Sequence, residues 1–267
     1  MPINIDNISY SYGINTPFEK KALSNVSVDI NDGELWLFVG HTGSGKSTMI
    51  NMINGLLVPQ SGSVKVDGMG TADKNINIRE IRKKVGLIFQ YPESQFFLPT
   101  IAEEFTYAAK NFGVSFSQQD LFFYMKLMGL PKEYLNKSPF NLSGGEMRKV
   151  AIISVLSYNP SYIIFDEPTV GLDYKTRVSI FETVKKLNSI GKTIILVTHW
   201  ISEFLALKPK VLMMKESNVV FKGEFDDFIR LDEKILEQSG IIFDDKLTLY
   251  KELLIANNPL KDKITIL

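Results

Sequence analysis

Gly40-His41-Thr42-Gly43-Ser44-Gly45-Lys46-Ser47-Thr48 is the stretch from which the rest of the chain is read. It fits the phosphate-loop pattern G-x-x-x-x-G-K-[ST]. Residues 34–39 before it, Glu-Leu-Trp-Leu-Phe-Val, form a short apolar run and predict a buried strand. Residues 47–57 after it predict a helix, with Met49, Ile50, Ile53 and Leu57 at helical spacing. Strand, glycine loop, helix is the order that phosphate chemistry needs. Glycines let the backbone curl so that N–H groups point inward, and the new helix adds its positive N-terminal end. Lys46 supplies a point charge between the β- and γ-phosphates of a nucleotide such as ATP, and the Ser47 hydroxyl is a candidate Mg²⁺ ligand. Taken alone, the stretch also reads as a glycine-rich turn before an ordinary helix. The later motifs decide between the two.

Bulk properties narrow the class. The chain has 267 residues, 45% of them hydrophobic, enough for one large domain or a domain with an appendage. Lys+Arg and Asp+Glu number 30 each, so no overall field favours nucleic acid or anionic lipid. No cysteine is present, which excludes disulfides and thiolate metal sites. No stretch approaches about 18 apolar residues, so no membrane span is expected, and the N-terminus lacks a signal-peptide core. A cytoplasmic protein able to dock on a membrane protein fits these features.

Alternation at Ile3 and Ile5, then at Val26, Val28 and Ile30, predicts antiparallel strands over 3–10 and 22–30. A third strand is expected over 63–67. With the phosphate-loop core these make a small antiparallel β subdomain. Residues 85–89 predict a buried strand ending at Gln90. Residues 91–160 change to a helical, aromatic-rich character and read as a helical insertion. The core resumes with strand 162–166, a helix over 175–189, and strands 193–198 and 211–215 with a hairpin partner near 219–223. Two short helices are expected in 225–267, and the chain is expected to divide into a main domain of 1–225 and a C-terminal extension of 226–267.

Asp166-Glu167 stands at the end of a buried strand. An Asp there supports Mg²⁺ in phosphate-loop enzymes, and the following Glu167 is placed to polarise an attacking water. An exposed acid pair in a loop is the plainer reading. Leu142-Ser143-Gly144-Gly145-Glu146 opens another predicted helix. Ser143, Gly144 and Gly145 there make a second anion site, suited to the γ-phosphate of ATP held by another subunit. The plainer reading is a helix N-cap.

Taken together, these residues resemble the ATP-binding subunits of ABC transporters over about residues 1–225. The phosphate loop matches the Walker A motif, 142–146 the signature, and 163–167 Walker B with its glutamate. Gln90 matches the Q-loop, Gly171-Leu172-Asp173 the D-loop, and His199 the switch histidine. The resemblance implies an α/β P-loop NTPase fold of ABC ATPase type that binds and hydrolyses ATP with Mg²⁺. It implies catalytic roles for Glu167, His199 and Gln90, and metal contacts from Ser47, Gln90 and Asp166. Nucleotide contacts are implied for Gly40 through Thr48, Ser143, Gly144, Gly145 and Asp173, with Tyr12 stacking on adenine, although a tyrosine in an alternating strand also packs in cores. His41 occupies a variable loop position and is given a conformational part alone.

The closer resemblance is to ATPases of energy-coupling factor (ECF) transporters. It rests on the phosphate-loop wording, on Asn54-Gly55-Leu56-Leu57, on Phe89-Gln90-Tyr91-Pro92-Glu93-Ser94-Gln95-Phe96-Phe97, and on Met147-Arg148-Lys149-Val150-Ala151-Ile152. That family pairs two ATPases, here expected as a heterodimer, with a transmembrane T subunit and a substrate-binding S subunit, and imports vitamins or transition-metal ions. It implies a place on the cytoplasmic face of the membrane and a short helix after Gln90 that couples to the membrane subunit. Phe96 and Phe97 fit either that dock or the helical core. A conventional ABC transporter homodimer and a soluble ABC ATPase are the alternatives. One departure stands out: the signature ends in Glu146 where glutamine is usual. A carboxylate aimed at the partner's γ-phosphate would repel it.

Overall fold

The computed structural model describes residues 2–264. It divides into two compact units, Met1–Ile76 with Ile195–Leu267, and Asn77–Ile194. The expected bounds 1–225 and 226–267 include residue 1 and residues 265–267, which lie outside the described residues.

The first unit begins with β1 (Ile3–Tyr12), β2 (Lys20–Ile30), β3 (Leu35–Val39), α1 (Lys46–Ile53), β4 (Ser61–Val66) and β5 (Met69–Gly70). Strands β2, β1, β4 and β5 lie in that order in one antiparallel sheet. Ile3 faces Ile30 and Val66, and Ile5 faces Val28 and Val64, so the alternating apolar residues share one buried face. Strands β1 and β2 both run further than alternation predicts, to the pair Tyr12 and Lys20. Ladder bonding continues there beyond the last buried side chain. Helix α1 is shorter than the expected 47–57. Gly55 turns to a φ of 70° and Leu56 N–H donates to Asn51 C=O at 2.8 Å, which closes the helix early.

The second unit holds α2 (Ile78–Lys84), β6 (Val85–Ile88), α3 (Ile101–Asn111), α4 (Gln118–Leu127), α5 (Gly144–Leu156), β7 (Tyr162–Asp166) and α6 (Tyr174–Ser189). The unit boundary falls inside the next strand, β8 (Thr193–Val197). Strands β6 and β7 pair in parallel, from Val85 beside Tyr162 to Ile88 beside Phe165. β6 is buried throughout and β7 up to its closing Asp166, as strands covered on two faces are. Helix α5 buries Val150, Ala151, Ile152 and Ile153 completely and is the core of this unit. Helix α2 escapes the sequence pattern because it buries only Ile81. A 3₁₀ turn, Pro92–Gln95, follows Gln90. After it the two phenylalanines part: Phe96 is 6% exposed and Phe97 62%.

The first unit resumes with β9 (Lys210–Lys215) and β10 (Asn218–Gly223), then α7 (Phe225–Ile229), α8 (Glu233–Gln238) and α9 (Asp245–Ile255). Strand β9 runs parallel to β3, with Phe38 beside Leu212, and antiparallel to β10. From residue 225 on, the described residues hold three helices and a 3₁₀ turn, Pro259–Lys263, rather than two helices. Asp232 and Asp244 each cap a new helix with a side-chain carboxylate, and the shorter one, α8, buries only Leu236 and shows no apolar period. Phe225, Phe228 and Tyr250 form the buried centre of this extension. No helix among the described residues is long and apolar enough to cross a membrane.

Candidate functional site

The phosphate loop joins β3 to α1 within the first unit. Gly40 and Gly45 hold φ angles of 136° and 111°, and each packs against backbone. A Cβ at Gly40 would lie 2.1 Å from Met214 C=O, and one at Gly45 would lie 2.3 Å from Ala22 C=O. Only glycine fits both positions. Gly45 is the N-cap of α1 and no side chain caps that end. Lys46 is buried, with its ammonium donating to Gly40 C=O at 2.6 Å, His41 C=O at 3.0 Å and Ser44 Oγ at 3.3 Å. The next side chain, Ser47, is exposed. Thr48 Oγ1 lies 3.2 Å from the Tyr12 hydroxyl. The Tyr12 ring, 44% exposed, is met edge-on by Tyr10. An exposed aromatic therefore stands tethered to the first turn of the phosphate-loop helix. His199 follows β8 in the same unit. Burial first, and then the Lys46 charge, hold its imidazole below the ordinary histidine value.

The other motif residues lie in the second unit. Asp166 ends β7, and Glu167 is buried with a φ of 47°, a left-handed conformation that a side-chain-bearing residue adopts at a cost of about 1–3 kcal/mol. Asp173 caps α6, accepting from Thr176 N–H at 2.9 Å and from its hydroxyl at 3.1 Å. These bonds hold the Asp173 carboxyl below its ordinary value. At the signature, Ser143 and Glu146 form a reciprocal capping box on α5. Glu146 accepts from the Ser143 hydroxyl at 2.7 Å, Ser143 N–H at 2.9 Å and the Tyr134 hydroxyl at 2.8 Å. The Ser143 hydroxyl, followed by the backbone N–H and Tyr134, keeps this carboxyl below its usual range. The charge of Glu146 is folded back onto its own loop. The capping box is the N-cap reading of 143–145.

Three residues belong with these and were not singled out from the sequence. Buried Arg148 donates to Phe89 C=O at 2.7 Å and to Gln90 C=O, tying α5 to the end of β6. Burial lowers its guanidinium from the ordinary value, and the charges of Glu93 and Asp166 oppose that shift. Buried Glu104 accepts from Phe97 N–H and Leu98 N–H, both at 2.7 Å, and so fixes the chain after the 3₁₀ turn. Lys20 brings its ammonium within 3.8 Å of where a Gly43 Cβ would stand, adding a cation at the loop. Arg148 sits inside a quoted motif. Glu104 and Lys20 carry no signal in the sequence.

The ABC transporter family profile matches residues 23–170. Among curated proteins, the chain is similar to the energy-coupling factor transporter ATP-binding protein EcfA2 of Clostridium acetobutylicum, at 46% identity over 90% of this chain and 85% of the other. Its likeness to the EcfA2 of Streptococcus thermophilus is 44% over 84% and 81%. Among solved structures, it resembles the ATP-binding cassette MJ0796 in a dimeric post-hydrolysis state bound to ADP and Pi, with a TM-score of 0.75 at 31% identity, covering 84% of this chain and 98% of that one. It also resembles cbiO1 from Clostridium perfringens, part of the ABC transporter complex cbiONQ, with a TM-score of 0.73 at 27% identity over 89% and 93%. The chain belongs to the ABC transporter family, in its energy-coupling factor ATP-binding branch.

Proposed function

We propose that this chain binds and hydrolyses ATP as a motor subunit of an ECF-type importer. The observation that carries the reading is the phosphate loop. An uncapped helix N-terminus, a buried lysine and glycines replaceable by nothing larger make a cradle for a triphosphate. Its Lys46 ammonium rests on the loop's own carbonyls and is available to phosphate oxygens by exchange of those bonds. The residues also fit Mg²⁺. Ser47 and Asp166, with Gln90, would hold the ion, which supplies charge neutralisation to the β- and γ-phosphates.

Tyr12 stacks on the adenine. Glu167 takes a proton from the attacking water, and His199 donates a hydrogen bond to the γ-phosphate. Ser143, Gly144 and Gly145 close over ATP held by a second ATPase subunit, with Asp173 beside them. The dimeric cassette bound to ADP and Pi supports such an assembly. The membrane dock is Phe97 with Tyr107, whose rings meet edge-on at 5.0 Å beside a groove of about 360 Å³ lined by Leu98, Ala102, Thr106 and Tyr107. Closure needs the γ-phosphate, so hydrolysis reopens the dimer and moves the docked T subunit. An S subunit selects the cargo, a vitamin or a transition-metal ion. The chain works at the cytoplasmic face of the membrane.

Affinity capture of the tagged chain from its native cells in gentle detergent, with partners identified by mass, tests this reading. A second, different ATPase with a T subunit and a small membrane protein supports it. Identical ATPase copies with large permease subunits would move the protein to a conventional ABC transporter.

A further inference from the structure

The phosphate loop is held from a direction that nucleotide chemistry does not account for. His41 N–H donates outward to Ser239 C=O at 2.8 Å, while His41 C=O accepts from Lys46. The His41 ring joins the same clamp: Nδ1 lies 2.9 Å from Thr42 C=O, and Nε2 accepts from Glu216 N–H at 3.4 Å in the β9–β10 turn. Ser239 and Gly240 end α8. Gly240 takes a φ of 73°, and Ile241 N–H donates back to Leu236 C=O at 2.9 Å, a closed helix terminus. Its glycine lies flat on the loop, since a Cβ on Gly240 would stand 2.7 Å from His41 Cβ and 3.2 Å from its Cα. Lys215 donates to Gln238 at 3.2 Å and adds a second tie between α8 and the core.

We infer that the end of α8, through Ser239 and Gly240, is a positioning element for the phosphate loop: it orients the His41 peptide and thereby the carbonyls on which Lys46 rests. The extension then controls nucleotide affinity rather than chemistry. By linkage, bound nucleotide must tighten the end of α8 by the same factor. This inference rests on the ATP-binding reading above.

The test uses the full chain and MgADP as probe, followed by steady-state ATP turnover. Gly240→Ala and Gly240→Asn both add the clashing Cβ, and asparagine tolerates the left-handed backbone. Both variants should bind MgADP at least tenfold more weakly and raise the KM for ATP to match, with kcat within about threefold of wild type. Gly68→Ala is the control. Gly68 has a φ of 80° in the turn between β4 and β5 with nothing within 4 Å of an added Cβ, so it carries the same backbone strain without the contact. It should bind as wild type. Wild-type affinity in the Gly240 variants, or equal weakening in Gly68→Ala, overturns the inference. Should the Gly240 variants fail to fold, hydrogen exchange on the wild type decides. MgADP should slow exchange at Gly240 and Ile241 as well as in the loop, and protection confined to the loop overturns it. Absence of MgADP binding by the wild-type chain would instead overturn the nucleotide reading itself.

Discussion

Glu167 combines burial with a φ of 47°, a conformation that the surrounding structure must enforce. Such enforcement at a carboxylate fits a base that must meet one water in one place. Glu167→Gln keeps the size and the backbone but cannot take a proton. It should lower ATP turnover about 10²-fold or more, leave ATP affinity within about threefold, and yield an ATP-bound dimer by size exclusion. Turnover near wild type would remove Glu167 from its role. Glu146 presents the opposite case. Its three donors turn the charge away from an incoming phosphate, yet they also commit the Ser143 hydroxyl proton to Glu146. A neutral amide competes less for that proton. Glu146→Gln should therefore raise turnover of the reconstituted complex about twofold or more at a stability cost below about 1 kcal/mol, the scale of one helix cap. An unchanged or lower rate, measured in the same complex, would show that Glu146 does not limit the site.

Arg148 sets the relation between two elements, α5 and the end of β6. Its guanidinium serves the carbonyls of Phe89 and Gln90 together, a fork that lysine's single ammonium does not reproduce. Hydrogen bonds to charged groups contribute about 1.5–3 kcal/mol. Arg148→Ala should then cost about 2 kcal/mol in urea unfolding and lower kcat more than it raises the KM for ATP, because Gln90 loses its backbone support; Arg148→Lys should not restore turnover. Equal kcat in all three proteins would reduce Arg148 to packing. The same element pair shows what the sequence disclosed. Strands β3, β6, β7 and β8 were legible because a strand covered on both faces reads as a nearly continuous apolar run. The motifs stood out because they sit at the ends of those runs. Helices α2 and α8 were not legible, since each buries a single residue and shows no period. Glu104 reads as an ordinary surface acid until its two backbone donors are seen, and nothing links His41 to Gly240 before the chain folds.

At the scale of the whole molecule, one contribution to acid stability comes from the ion pair between Glu34, just before β3, and Lys210 of β9, 176 residues apart in the chain. Burial raises the Glu34 carboxyl, but donors from Lys210 at 2.6 Å, Asn31 and Trp36 at 2.7 Å outweigh it and bring the pKa down to about 2. The bond to Glu34 in turn holds the Lys210 ammonium above its ordinary value. The Glu34 side chain is 16% exposed and that of Lys210 34%, so water screens the pair in part. The folded pKa lies below the unfolded value of 4.5. Stability from Glu34 is therefore fully present above pH 4.5 and is lost as the pH falls toward 2. At about 1.4 kcal/mol per pH unit, that shift corresponds to about 3 kcal/mol as an upper figure. Glu34→Gln should lower the unfolding free energy at pH 7 by about 1–3 kcal/mol, and the gap to wild type should shrink as the pH falls from 4.5 to 2. Denaturant titrations of both proteins at pH 7, 4.5, 3.5 and 2.5 check the sign and the window together. A gap that stays constant across the series would mean that Glu34 acts through packing alone and that its ionisation is not linked to folding.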